Sequence, residues 1–260
     1  MKQRLDVLLV ERRLVESRTK AQWLIKQGLV FVEGKLIVKP GKKVNSTNEI
    51  RLQKEFPYVG KGGLKLEKAL SDLSISVKDK ICMDIGTSIG GFTDCLIKHG
   101  AKKVYAIDTA TDLLHPSLRK KKLKEKVILM LGKDARNSIN ITEKVDICTI
   151  DVTFASLKAI LPNVKNSLKK QGEIIALVKP IFETEFYKEE KFEIIDHPSE
   201  LFQILNGLIE WCLENEFYLD GITKSHLTKK EGSIEFFIYL KLDQSSFRLD
   251  FNKMIKDILK

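Results

Sequence analysis

The sequence predicts an α/β protein in which a small basic α+β domain precedes a doubly wound, mainly parallel sheet. Three observations predict it. From residue 61 onward, apolar runs of strand length alternate with stretches of helix length, the order that builds a parallel sheet with helices on both faces. The first long strand runs into a glycine-rich turn, and the second ends on an acid. Positive charge is crowded at the amino end: residues 1–54 carry 13 Lys/Arg against 5 Asp/Glu, so only +2 of the net +10 belongs to the rest of the chain.

The elements follow in order. In the first domain, residues 1–54, Leu5, Leu8, Leu9 and Val10 share one face of a helix over 4–14, and Ser17 is placed to cap a second helix that stops at Gly28. Leu29 to Val32 and Leu36 to Val38 flank Glu33-Gly34-Lys35 as a tight hairpin, and Glu49 to Leu52 supplies a further strand. Residues 55–60, with Pro57 and Gly60, form a linker, and residues 61–260 the second domain. That domain opens with a helix at 64–70. Strands are expected at 80–85, 103–108, 127–131, 145–151, 173–178, 218–226 and 234–241, and helices at 91–99, 113–124, 154–170 and 198–214.

Composition narrows the function classes. With 43% hydrophobic and 31% charged residues the chain falls among ordinary globular proteins, away from disordered and fibrous ones. Cys82, Cys95, Cys148 and Cys212 form no CxxC pair and read as reduced thiols of a cytoplasmic protein. No metal-binding spacing is present. Apolar runs such as Ile174 to Val178 are too short to cross a bilayer, which argues against stable membrane insertion. The crowded positive charge suits a polyanion such as nucleic acid.

The chemistry centres on Ile81 to Thr93, a strand, a turn containing Gly86, Gly90 and Gly91, and the start of a helix at Phe92. Glycines there let a ligand approach the backbone, and Asp108, closing the next strand, is placed to accept hydrogen bonds from ribose hydroxyls. The loop lacks the full GxGxxG spacing that seats a pyrophosphate, so S-adenosyl-L-methionine, which has no phosphate, fits better than a dinucleotide. In that reading Asp84 organises the methionine end, Asp108 the ribose and Asp134 the adenine amino group, with Gly86, Ser88, Gly90, Gly91 and Phe92 shaping the loop. A rival lies in the same residues: Gly86-Thr87-Ser88-Ile89-Gly90 matches the GxSxG nucleophile elbow, with Asp151 and His226 in the chain order of a hydrolase triad. It leaves Asp84, Asp108 and the basic amino end without a role.

Two resemblances sharpen the reading. Arg4-Leu5-Asp6, Ser17-Arg18, Ala21, Ile25, Gly28, Val30, Val32, Gly34 and Pro40-Gly41 resemble the S4 RNA-binding domain over roughly residues 3–52. That resemblance implies RNA contacts from Arg4, Arg18, Lys20, Lys26 and Lys43. Pro57-Tyr58-Val59, Gly62 to Leu66, Asp84 to Cys95, Ile150-Asp151-Val152, Ala176 to Pro180 with Phe182-Glu183, and Glu231 to Phe236 together resemble the TlyA family, over nearly the whole chain. Members of that family are known both as hemolysins and as ribosomal RNA 2′-O-methyltransferases with an FtsJ-like catalytic domain.

The resemblance implies a Lys-Asp-Lys-Glu catalytic set on Lys65, Asp151, Lys179 and Glu235, and a monomeric enzyme acting on ribosomal RNA within ribosomal subunits. A ribose hydroxyl is a poor nucleophile until deprotonated, and Lys179 is the expected group to take or polarise its proton. Its neighbours leave open which: Lys65 and burial favour the neutral amine, Asp151 and Glu235 the charged one. Two alternatives remain, a membrane-lytic protein and a non-catalytic RNA-binding assembly factor. The chain departs from the family at Ile89, at Thr109-Ala110-Thr111-Asp112 and over residues 186–196, which bears on cofactor affinity and RNA docking.

Overall fold

In the computed structural model, which describes residues 2–184, 195–226, 234–243 and 250–260, the chain divides into two units between Lys61 and Gly62. The first unit contains β1 (Lys2–Arg4), α1 (Leu5–Glu11), α2 (Arg18–Lys26), β2 (Val30–Val32), β3 (Lys35–Leu36), β4 (Lys43–Asn45) and β5 (Ile50–Leu52). The two helices bury Leu5, Leu8, Leu9, Ala21, Leu24 and Ile25 against Val30, Val32 and Val44. The Ser17 hydroxyl caps α2 by accepting from the Lys20 amide at 3.3 Å. Glu33 and Gly34 both have left-handed backbone, φ 49° and 70°, the geometry that turns a two-residue hairpin, and Val32 faces Lys35 across it. β5 pairs with the other edge of β2. β1, three residues with no alternation to betray it, pairs with β4 as a separate ribbon.

The second unit runs α3 (Lys61–Asp72, its first residue lying at the boundary), β6 (Ile81–Ile85), α4 (Gly91–Lys98), β7 (Lys103–Asp108), β8 (Val127–Leu131), β9 (Val145–Ile150), α5 (Leu161–Lys165), β10 (Leu168–Val178), α6 (Pro180–Glu183), α7 (Pro198–Glu214), β11 (Tyr218–Lys224), β12 (Phe236–Lys241) and α8 (Phe251–Leu259). Its seven strands lie in the order β11-β12-β10-β9-β6-β7-β8. β12 is antiparallel to both neighbours, and the other pairs are parallel. The chain builds outward from β6 through β7 to β8 and then returns to β9 on the far side of β6. That reversal opens a crevice beyond the carboxyl ends of β6 and β9, where open α/β sheets take their ligands.

Some elements differ from expectation. The helix at 113–124 is replaced by two 3-10 turns, Pro116–Arg119 and Lys121–Leu123. Pro116 cannot sit inside a helix begun at 113, and the run of like charges from Arg119 to Lys122 opposes a helix. The helix at 154–170 shrinks to a 3-10 turn, Leu157–Ala159, and α5, because Pro162 is tolerated only in a first turn. β10 then starts at Leu168, with a register shift before Glu173. α8 was not anticipated. It packs against α7 and β11, burying Ile255. Residues 186–194 and Glu231 to Ser233, which carry one expected family departure and one motif, lie outside the described residues.

Candidate active site

The glycine-rich loop is fastened from below. Asp84 is fully buried, and its carboxylate accepts from the hydroxyls of Thr93 (2.6 Å), Thr87 (3.0 Å) and Thr149 (3.0 Å). Burial pushes its pKa up to about 6, against the pull of those three hydroxyls. From above, the Gly86 amide donates to Ile107 O at 2.9 Å, the Ser88 amide to Asp108 Oδ2 at 2.7 Å and the Ala110 amide to Asp108 Oδ1 at 2.8 Å. Gly86 has φ +80°, and a Cβ there would come within 2.2 Å of the Asp151 carbonyl oxygen, so the loop can lie against the end of β9 only with glycine at this position.

A cleft of about 420 Å³ occupies the crevice, lined among others by Gly86, Ser88, Asp108, Asp134, Asp151 and Phe154. Of the residues expected to bind cofactor, Gly86, Ser88, Asp108 and Asp134 therefore face it. Asp84, Gly90, Gly91 and Phe92 are not among its described lining residues. They build the loop: Gly91 touches the Gly62-Gly63 backbone, and the Phe92 ring packs 6.0 Å from that of Phe237. Asp134 is held by Arg136 in a two-pronged ion pair at 2.6 to 3.1 Å, which keeps its carboxyl below the usual range. Ile89 is exposed, and its carbonyl accepts from the His115 amide.

Lys65, Asp151, Lys179 and Glu235 arrive from α3 and from the ends of β9, β10 and β12. Lys179 Nζ donates to Asp151 Oδ1 at 2.5 Å and to Val152 O at 2.7 Å, and Lys65 is ion-paired with Glu235. Ile150 lies opposite Ala176, and Val178 opposite Phe236, so Asp151, Lys179 and Glu235 follow one another across three adjacent strands at the carboxyl edge of β9 and β10. Lys179 and Glu235 are buried, at 8% and 2% exposure.

Sequence reasoning assigned no role to two further residues here. Glu183 on α6 accepts from the Ser156 hydroxyl (2.6 Å) and the Leu157 amide (2.9 Å), tying the turn after β10 to the loop after β9. Burial raises its pKa. Phe154, on that loop, is 61% exposed at the cleft with a left-handed φ of 63°. An exposed aromatic held in strained backbone is a feature of binding loops, and the sequence signal was its place three residues after Asp151. The hydrolase constellation is not assembled: Asp151 is paired with Lys179, and His226 lies by α3 near Lys65, Glu67, Lys68 and Asp72. Among the described residues no hydrogen bond joins His226 to Ser88.

In the first unit, Arg4 and Arg18 donate to the buried Asp6, Lys20 pairs with Glu16 beneath the Phe56 ring, and Lys26 and Lys43 are exposed. All four cysteines are free and buried, and burial pushes the Cys82 and Cys212 thiols up to about 12.

The sheet order, the glycine loop at its reversal and the acid ending β7 define a Rossmann-like domain with a nucleoside-type cofactor cleft. Known proteins agree: residues 58–242 match the model of the FtsJ-like methyltransferase family and residues 3–50 that of the S4 domain. A Bacillus subtilis (strain 168) protein carrying the provisional name rRNA methyltransferase YqxC is 39% identical over 92% of this chain and 85% of its own. The Mycobacterium tuberculosis (strain H37Rv) 16S/23S rRNA (cytidine-2′-O)-methyltransferase TlyA is 31% identical over 92% of this chain and 89% of its own. A Streptococcus thermophilus structure, provisionally named a hemolysin, superimposes with a TM-score of 0.72 at 34% identity, covering 99% of this chain and 94% of that one. The chain belongs to the FtsJ-like methyltransferase family, in its TlyA branch with an S4 domain ahead of the catalytic one.

Proposed function

We propose that this protein transfers a methyl group from S-adenosyl-L-methionine to a ribose 2′-hydroxyl of ribosomal RNA, acting as a cytoplasmic monomer on ribosomal subunits. The observation that carries this reading is the gathering of Lys65, Asp151, Lys179 and Glu235 at one sheet edge, with Asp151 shared with the cofactor-sized cleft. The cleft fits the cofactor: its volume lies in the range of small-molecule sites, and each Asp108 oxygen, having accepted one amide, keeps a lone pair for a ribose hydroxyl. Gly86 would lie against the methionine end, Asp108 hold the ribose and Asp134 the adenine amino group. When bound, the cofactor supplies a sulfonium-activated methyl group.

The chain's own task is alignment and proton removal. Asp151 Oδ1 and Val152 O fix two of the three positions around Lys179 Nζ, leaving the third for the substrate hydroxyl, whose proton Lys179 receives or polarises. Glu235 holds Lys65 beside it. Phe154 offers its ring to an unpaired base of the target, and the basic side chains of the S4 domain hold RNA phosphates.

The test is incubation of unmethylated ribosomal subunits with labelled cofactor, followed by mapping of ribose methylation. Lys179→Ala is expected to lose about 10²–10⁴-fold in rate while still binding cofactor. A folded Lys179→Ala protein with wild-type transfer sinks the mechanism. Failure of the wild type to bind cofactor even with RNA present would leave an assembly factor. The hemolysin name of similar proteins finds little support here, since among the described residues no helix is long and apolar enough to cross a membrane. Dye release from liposomes that persists in Lys179→Ala would revive it.

A further inference from the structure

Three buried side-chain oxygens have no hydrogen-bond partner among the described residues, and two of them, Ser225 Oγ and Glu235 Oε1, are neighbours at the proposed active site. Lys224 lies opposite Phe236, and the Ser225 amide donates to Glu235 O at 2.8 Å, carrying the β11–β12 ladder one step further. Across the other edge of β12, Val178 faces Phe236, which brings Lys179, still extended at φ −110° and ψ 100°, opposite Glu235. Opposed residues of antiparallel strands point to the same face, with Cβ atoms about 4.5–5.5 Å apart. Ser225, Glu235 and Lys179 therefore form one row. α3 covers that face, since two residues before Ser225 the Thr223 hydroxyl donates to Asp72 on α3 at 3.1 Å.

Ser225 is 4% exposed, so bulk solvent does not satisfy its hydroxyl. Glu235 uses Oε2 for Lys65, and Oε1 is the oxygen left over. Two buried, unpartnered oxygens on opposed residues of one face are the setting in which proteins retain an ordered water.

We infer that Ser225 is a positioning residue of the active site: its hydroxyl and Glu235 Oε1 hold one ordered water between them, and this bridge keeps the Glu235 carboxylate turned towards Lys65. Without the bridge, Oε1 satisfies itself by rotating towards Lys179 across the row, which pulls Lys65 and Lys179 out of register with a bound hydroxyl. The role of Glu235 in this inference rests on the proposed methyl transfer, whereas the water does not.

The experiment compares the full-length wild type with Ser225→Ala and Ser225→Thr. A crystal structure that resolves waters is expected to show one within hydrogen-bond distance of both oxygens, absent in Ser225→Ala and kept in Ser225→Thr. In the subunit methylation assay Ser225→Ala is expected to lose about tenfold in kcat, the factor one lost hydrogen bond carries, with KM for RNA and cofactor affinity unchanged, and Ser225→Thr to restore it. No water in the wild type overturns the inference whatever the activity. So does a wild-type kcat in Ser225→Ala, or a rise in KM at constant kcat, which would make Ser225 a substrate contact. Absence of ribose methylation by the wild type strikes the proposed function instead and leaves the water to be judged from the structures. If Ser225→Ala does not fold, Ser225→Cys, near in size and weak in hydrogen bonding, takes its place in both measurements.

Discussion

Asp6 in the S4 unit and Asp84 in the catalytic unit are both fully buried carboxylates, and they are held in opposite ways. Asp6 accepts two bonds from Arg4 at 2.9 and 3.0 Å, one from Gln22 at 2.6 Å and one from Arg18 at 3.3 Å, and the Arg4 guanidinium above all holds its carboxyl well below the usual range. Its cations remain about half exposed. Asp84 lies in the interior of β6 with three threonine hydroxyls and, among the described residues, no cation, and burial pushes it up to about 6. A small domain buries a carboxylate by neutralising it. A large sheet can bury one with hydroxyls, which donate to a carboxylate and equally accept from a carboxylic acid, so the loop above keeps its anchor in either state.

The largest effect expected from this difference is at Asp84. Asp84→Ala leaves three hydroxyls without their acceptor and opens a cavity beneath the glycine loop, a loss of about 3–5 kcal/mol in urea unfolding. Asp84→Asn keeps the bulk and sharpens the comparison through pH. The folded-state pKa of Asp84 is raised above its unfolded value, so between about pH 4 and 6 the unfolded chain ionises while the folded one keeps its proton. Wild-type stability falls across that window by up to about 3 kcal/mol, and Asp84→Asn escapes the fall. Parallel stability–pH curves for the two proteins would show that Asp84 is not raised.

Asp6→Asn tests the other side with the opposite sign. The folded-state pKa of Asp6 is depressed, so its contribution is present above the usual carboxyl range and lost as pH falls through it. The substitution is expected to cost the S4 unit about 1–3 kcal/mol at neutral pH, the worth of hydrogen bonds to charged groups, with the cost shrinking in acid. Trp23 lies in this unit, and a Trp211→Phe background makes its fluorescence the reporter. A cost that grows on acidification would contradict the pairing.

Much of this was legible in the sequence because it rested on local signals. The alternation of strands and helices, the Glu33-Gly34 turn, the Ser17 cap and the acids ending β7 and β9 each follow from residues close in the chain. The proposed active-site row was legible only through the family resemblance, since nothing local says that Glu235 comes opposite Lys179 and under Lys65. Whether Asp84 faces the crevice was not legible in the sequence, for a physical reason. Every residue of β6 after Ile81 is buried on both faces, so alternation carries no information about which side chain reaches the crevice. The helices at 113–124 and 154–170 failed where apolar periodicity was weighed above Pro116 and Pro162. Ser225 and Glu183 act through partners far along the chain, which periodicity does not reveal.

The smallest predicted effect carries the contrast between engaged and free charge to the basic side chains of the S4 unit that the family resemblance assigns to RNA. Lys20 is paired with Glu16 and lies 5.6 Å from the Phe56 ring centre, with little of its side chain in water. Lys26 and Lys43 are exposed and have no ion-pair partner among the described residues. An ammonium already neutralised by a carboxylate releases few counterions from RNA, whereas a free one releases close to its full share. Lys26→Gln and Lys43→Gln should therefore each flatten the dependence of log K on log salt by about 0.7–0.9 for ribosomal RNA, and Lys20→Gln hardly at all. An equal change at all three positions would show that the ion pair to Glu16 opens on binding, and that charges held within this unit are as available to RNA as free ones.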